Sequence, residues 1–222
     1  MGGFIGIGNQ FYAILLIIFI RYLVLASAAF FVFYYVKKNA WSFKKIQVKF
    51  PAISDYQREF LFSVSTSLIF AGLGYLFFFG PVAKYTFIYK DIHAHSLWYF
   101  FFTVVLTLII HDTYFYWTHR LMHHPRLFKY FHKVHHLSTN PSPWAAMAFH
   151  PLEAVVEFGI IAIVPFLFPI HPLALALRGM MAVWAAIIVR GGTAEMFYTG
   201  LFPIGFMWIC LYFSEPRQLK SS

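Results

Sequence analysis

Apolar positions in this chain come in long unbroken runs, not in the alternation of a half-buried strand or the one-sided stripe of a soluble helix. The first run, residues 11–36, is too long for a signal-peptide core and has no basic residue ahead of it, so it predicts a transmembrane helix. Arg21 falls inside that run and is expected to face the other helices, because a cation turned to lipid is costly. Residues 37–49 carry Lys37, Lys38, Lys44, Lys45 and Lys49 and no acid, the mark of a cytosolic loop. Pro51 and Asp55 are expected to interrupt any helix, which delays the second span to residues 60–79, where Gly80 and Pro81 end it. A third span, residues 96–118, returns the chain to the side of the lysine loop. Two shorter runs within residues 154–189, joined by the PIHP turn at 169–172, predict a helical hairpin that enters from that side and comes back to it. Arg190, Gly191, Gly192 and Glu195 form a polar break, and residues 197–213 are a last apolar stretch interrupted by Pro203 and Gly205. The expected fold class is therefore an all-α integral membrane protein, multi-pass, with about four to five transmembrane or re-entrant helices in one membrane domain (1–222) and an atypical C-terminal tail (190–222).

Composition strengthens this reading. Hydrophobic residues make up 60% of the chain and charged ones 11%, against roughly half and a quarter in soluble domains. The formal charge of +9 is spread thinly between apolar runs, so it points to topology and anionic headgroups and not to nucleic acid. A single cysteine, Cys210, excludes an internal disulfide framework and a cysteine-rich metal site.

Against this apolar background the histidines stand out. Eight of the eleven lie in residues 111–150, and two spacings recur there, HRLMH (His119, His123) and HKVHH (His132, His135, His136). Residues three and four apart share a helix face, so each set can converge on one point. Imidazole suits iron, zinc, copper and nickel, and five rings within eighteen residues make poor packing material. A zinc protease would place a glutamate beside the first histidine, where this chain has Arg120. Glu-x-x-His pairs of the diiron bundle type do not occur. The candidate metal ligands are thus His119, His123, His132, His135 and His136. His111, two helical turns before His119, can line the same face. Asp112 can orient a ligand imidazole or cap the helix at the membrane boundary. His150, just before Pro151, serves either the site or the start of the next helix, with Glu153 as an N-terminal charge. His93, His95 and His171 fall on the opposite side and receive no role, and Trp117 and Trp144 are expected in the interfacial belt.

HRLMH and HKVHH, preceded by DTYFYWT and followed by STNPSPWAAMAFHPLEA, resemble the sterol desaturase and fatty acid hydroxylase superfamily, closest to its C5-sterol-desaturase-like branch. The resemblance covers residues 103–156. It implies a membrane-bound oxidoreductase that hydroxylates or desaturates a lipid of the sterol or fatty-acyl class. It further implies two non-haem irons held by the box histidines at the cytosolic face, and an external electron donor of the cytochrome b5 or ferredoxin type fed by NAD(P)H. The implied location is the endoplasmic reticulum in a eukaryote or the inner membrane in a bacterium. His124, beside the first box, is not expected to be a ligand. The family pattern also implies a GH-type motif and a third HxxHH box after the hairpin, whereas no histidine follows His171 here. The alternative expectation is therefore a catalytically impaired, truncated or degenerate member of the fold that binds membrane or lipid without enzymatic activity.

Overall fold

In the computed structural model the described residues are 3–36 and 50–190, so the lysine loop and everything after Arg190 lie outside them. The chain forms α1 (Gly3–Phe30), continued by a π-helical turn (Phe31–Val36), α2 (Ile53–Phe78), α3 (Leu97–Met122), the short α4 (Pro125–Phe131) and α5 (Lys133–Leu137), then α6 (Pro151–Leu167) and α7 (Pro172–Arg190). Among the described residues extended pairing is limited to one bridge, Ile88 to Ile170. Gly8–Val36, Ile53–Phe78 and Leu97–Met122 are long and apolar enough to cross a membrane. At 1.5 Å per residue, α2 and α3 each measure about 39 Å, enough to clear a hydrocarbon core of roughly 30 Å. The protein is an all-α membrane protein.

Helix α2 begins seven residues earlier than the sequence suggests. Asp55 does not interrupt it. Its carboxylate accepts from the Ala52 backbone N–H at 3.1 Å and pairs with Arg58 at 2.9 Å, so the acid caps the first turn and favours the helix dipole. Pro51 precedes the helix, where its missing N–H costs nothing.

Two apolar clusters hold the bundle. Phe100, Val104 and Leu108 of α3 pack on Ile160 and Val164 of α6 and Ala174 of α7. Tyr22, Ala26 and Ala29 of α1 pack on Ala146, Met147 and Val183. Helices α3 and α6 approach closely because Gly159 has no side chain: a Cβ there would lie 2.2 Å from the Tyr114 hydroxyl, which donates to the Val156 carbonyl at 2.8 Å. Beyond α6, the Phe87 N–H donates to the Pro165 carbonyl at 2.7 Å, satisfying an acceptor at the helix's C-terminal end.

Residues 138–150, between the second histidine box and α6, are pinned from below by α1 and α2. Tyr22 and Ser63 both donate to the Trp144 carbonyl, at 2.8 and 3.0 Å, and Ser142 donates to the buried Glu59 carboxylate at 2.5 Å. The Trp144 ring packs among Tyr22, Phe30 and Phe60. It is therefore an internal anchor and not a belt residue, because its neighbours come from two helices and not from lipid. Trp117 is 61% exposed on the outside of α3.

Candidate metal centre

The site is built where α3 stops. His123 caps the C-terminus of that helix, its N–H bonded to the His119 carbonyl at 3.1 Å. His124 follows as the N-cap of α4, its Nδ1 accepting from Arg126 N–H at 3.4 Å, with Pro125 in the first helical position that favours proline. The cap occupies Nδ1 of the His124 ring. Helix α4 runs about two turns and breaks at His132, which closes α4 and opens α5. This joint turns the second box back over the first, so HKVHH is not one continuous helical face.

The five box rings meet as a result. His132 is fully buried, and its ring centroid lies 4.4 Å from that of His119, 4.8 Å from His123, 4.5 Å from His135 and 4.8 Å from His136. The Nε2 atoms of His119 and His123 are 3.1 Å apart. Phe115 stacks on His119, Phe128 lies 5.2 Å from His136, and Phe149 stacks on His135. These three aromatic rings pack against the cluster, of which only His132 is buried and His136 is exposed.

A carboxylate joins them. Glu153, in the first turn of α6 and 1% exposed, meets the His132 Nδ1 at 2.8 Å and the His135 Nδ1 at 3.3 Å. A carboxylate on one ring nitrogen keeps the proton there and presents the other nitrogen as a lone pair. Two groups have the reach to hold an ion, His119/His123/His132 and His132/His135/Glu153, with ligand atoms within 4.8 Å of one another. They share His132. Nitrogen and carboxylate donors of this kind suit first-row metals including iron, and the residues present fit such an ion.

The remaining candidates go elsewhere. His111 lies on the same face of α3 as His119, but the Phe115 ring stacks between them, and neither group includes His111. Its Nδ1 faces Asp112 at 3.2 Å, so Asp112 orients His111 and not a box histidine. His150 is the N-cap of α6, its Nδ1 accepting from the Leu152 N–H at 3.3 Å. His95 and His171 both pack on Tyr89, beside the N-terminal end of α3 and far along that helix from the boxes.

Glu153 is the helix-start charge that the sequence suggests, but its contact with two box histidines was not foreseen. Its signal lay in Glu157 four residues on: two acids on one face of an otherwise apolar helix, both buried, need polar partners inside the bundle. Arg178 of α7, 3% exposed, was not singled out at all.

The fatty acid hydroxylase family model matches residues 104–216, just over half of the chain. The match runs well into the stretch after residue 190 that the sequence reading sets apart. The chain is 34% identical over 116 residues to a Delta(7)-sterol 5(6)-desaturase of Gibberella zeae, covering 52% of this chain and 36% of that protein. It is 30% identical over 150 residues to a putative methylsterol monooxygenase of Dictyostelium discoideum, covering 67% and 53%. With lathosterol oxidase of Homo sapiens it shares 28% identity over 141 residues, covering 62% and 47%. The chain thus spans about a third to a half of the length of these relatives. No solved structure matches it. Carried by two histidine boxes that close on one point, the chain belongs to the fatty acid hydroxylase family, within the sterol desaturase and fatty acid hydroxylase superfamily.

Proposed function

We propose that this protein is a membrane-bound non-haem iron oxidoreductase that hydroxylates or desaturates a lipid of the sterol class, using O2 and electrons from an external donor. The observation that carries this reading is the convergence of five box imidazoles and Glu153 at the end of a membrane-spanning helix. His119, His123 and His132 would hold one iron, and His132, His135 and Glu153 frame the second group. His136 lies within the same ring cluster. Iron there supplies the binding and reduction of O2, chemistry that no side chain offers.

The chain's own residues do the rest. Glu153 fixes the ring orientations of His132 and His135. Phe115, Phe128 and Phe149 pack against the rings of His119, His136 and His135 and help to fix them. The cavity that touches His135 has mostly apolar walls with a few charged groups and lies among the helices, which suits a substrate arriving from the bilayer. On the proposed topology the boxes sit on the cytosolic face, where a cytochrome b5 or ferredoxin-type donor, reduced by NAD(P)H, would reach them. The names of the relatives support the sterol class: a sterol desaturase, a methylsterol monooxygenase and lathosterol oxidase.

Iron measured on the purified full chain tests the reading. We expect at least one equivalent per chain, with most of it lost in His119→Ala and in His135→Ala. Less than one equivalent that neither substitution changes would sink the proposal. Comparing lipid extracts of cells with and without the gene then identifies the substrate, as a sterol that accumulates when the gene is absent.

A further inference from the structure

A cavity of about 120 Å³ lies beside the histidine cluster, and its wall includes His135, Phe149, Arg21, Asp112, Glu157 and Arg178. Cavities of this size take a ring-sized fragment and not a whole lipid. Apart from the polar groups and His111, its lining is apolar, with Phe70, Met147, Ile161 and Val183 among the side chains.

The two arginines are the unusual part. Arg178 is 3% exposed, and the Nε atoms of both Arg21 and Arg178 are buried without a hydrogen-bond partner among the described residues. Arg21 approaches α7 so closely that a Cβ on Gly179 would lie 2.6 Å from its Nη1, so the glycine makes room for the guanidinium. Bringing two cations together inside a bundle and leaving donors unmet is costly unless a ligand completes the arrangement.

The charge balance says which ligand. Arg21 and Arg178 contribute two positive charges, and Asp112 and Glu157 two negative ones, so the charged wall sums to zero. Asp112 and Glu157 are the carboxylates whose field Arg178 feels. An anionic head would leave the cavity with a net charge in a medium that solvates it poorly. An alcohol leaves it neutral, accepting from a guanidinium N–H through its lone pairs and donating its own O–H to a carboxylate.

We infer that this cavity binds the hydroxyl-bearing end of the lipid substrate, with Arg21 and Arg178 donating to the hydroxyl oxygen and Asp112 or Glu157 accepting its proton in a hydrogen bond. These four are binding residues. The inference rests on the oxygenase reading in one respect: because His135 lines the same small cavity, the C–H bond attacked lies within about a ring's width of the hydroxyl.

The test uses the full chain in lipid nanodiscs and three probes that compete with tritiated lathosterol: lathosterol itself, its 3-O-methyl ether and hexadecanoate. The ether keeps the acceptor oxygen but has no O–H to donate. One charge-assisted hydrogen bond is worth about tenfold or more in affinity, so lathosterol is expected to bind at least tenfold tighter than the ether. Arg178→Lys and Arg21→Lys keep the charge and remove the Nε donor, and each is expected to weaken lathosterol binding about tenfold at unchanged iron content. Equal binding of alcohol and ether, the result if the cavity holds only water, overturns the inference. So does hexadecanoate outcompeting lathosterol, or full lathosterol affinity in both folded lysine variants. The alcohol-to-ether ratio is read on the unsubstituted protein, so a variant that fails to fold does not blunt the test. Iron content of the same sample separates the two claims: an iron-free protein that still prefers the alcohol loses the oxygenase reading and keeps the hydroxyl site.

Discussion

The Glu153 carboxylate lies 2.8 and 3.3 Å from Nδ1 atoms of two box histidines while being almost wholly buried. Glu153→Gln puts an amide in the same space, which swaps one acceptor for a donor and loosens the hold on both rings. Loss of such a supporting partner typically costs about ten- to a hundredfold in metal affinity. We expect that drop in iron affinity for Glu153→Gln, with the fold intact, measured by competition with a chelator of known affinity. Asp112→Asn is expected to change iron affinity far less, because its neighbour is His111 and the Phe115 ring separates that pair from the cluster. At this scale the box histidines were legible because their spacing is periodic, and the resemblance added the chemistry. The carboxylate was not, because spacing along one helix cannot show which residue of a later helix will reach back across the break at His132.

Helices meet where small residues let them. Gly159 sits under the Tyr114 hydroxyl, and a methyl group there has no room. Gly159→Ala should force α3 and α6 apart and destabilise the protein by about 1–3 kcal/mol, the usual cost of overpacking. A lower thermal midpoint in detergent checks this. Combining it with Tyr114→Phe should recover part of the loss, since the closest clash is with the hydroxyl oxygen; the double-mutant comparison measures that coupling. The sequence located α3, α6 and α7 to within a few residues because long apolar runs leave little choice in lipid, whereas α1 starts eight residues ahead of the predicted run. The sequence misplaced the start of α2 because Asp55 reads equally as a breaker or as a cap, and only the backbone N–H of Ala52 decides between them. The joint at His132 was hidden for a similar reason: HKVHH has helical spacing, and the break arises from packing against α3.

Taken whole, the molecule puts two histidine clusters at opposite ends of α3. His95 packs on Tyr99 near its start, and His119 and His123 lie near its end. The proposed topology places the second end in the cytosol. In a Cys210→Ser background, Thr139→Cys should react with an impermeant thiol reagent from the cytosolic side and His93→Cys only from the other; the reverse pattern would invert the topology. The order of the long apolar helices was legible from hydropathy, but the short α4 and α5 and the inward turn of residues 138–150 were not. That loop is set by Tyr22, Ser63 and Glu59, polar side chains scattered over two distant helices.

The length of α6 has a consequence for the surrounding bilayer. Its 17 residues span about 25 Å, roughly 5 Å short of an average hydrocarbon core, and Leu152, Val155, Ile163 and Leu167 are exposed along it. Helices α2 and α3, at 26 residues each, suffer no such shortfall. On the proposed reading of α6 and α7 as a membrane hairpin, a bilayer has to thin on the α6 side, which would give the protein a preferred thickness. Mismatch costs fractions of a kcal/mol per ångström, small for one contact but summed over a helix flank enough to sort proteins between membranes. Reconstituted in phosphatidylcholines of increasing chain length, the protein should be most heat-resistant in the thinner bilayers, and the same preference would hold it in the thin membranes of a cell and out of the thick ones.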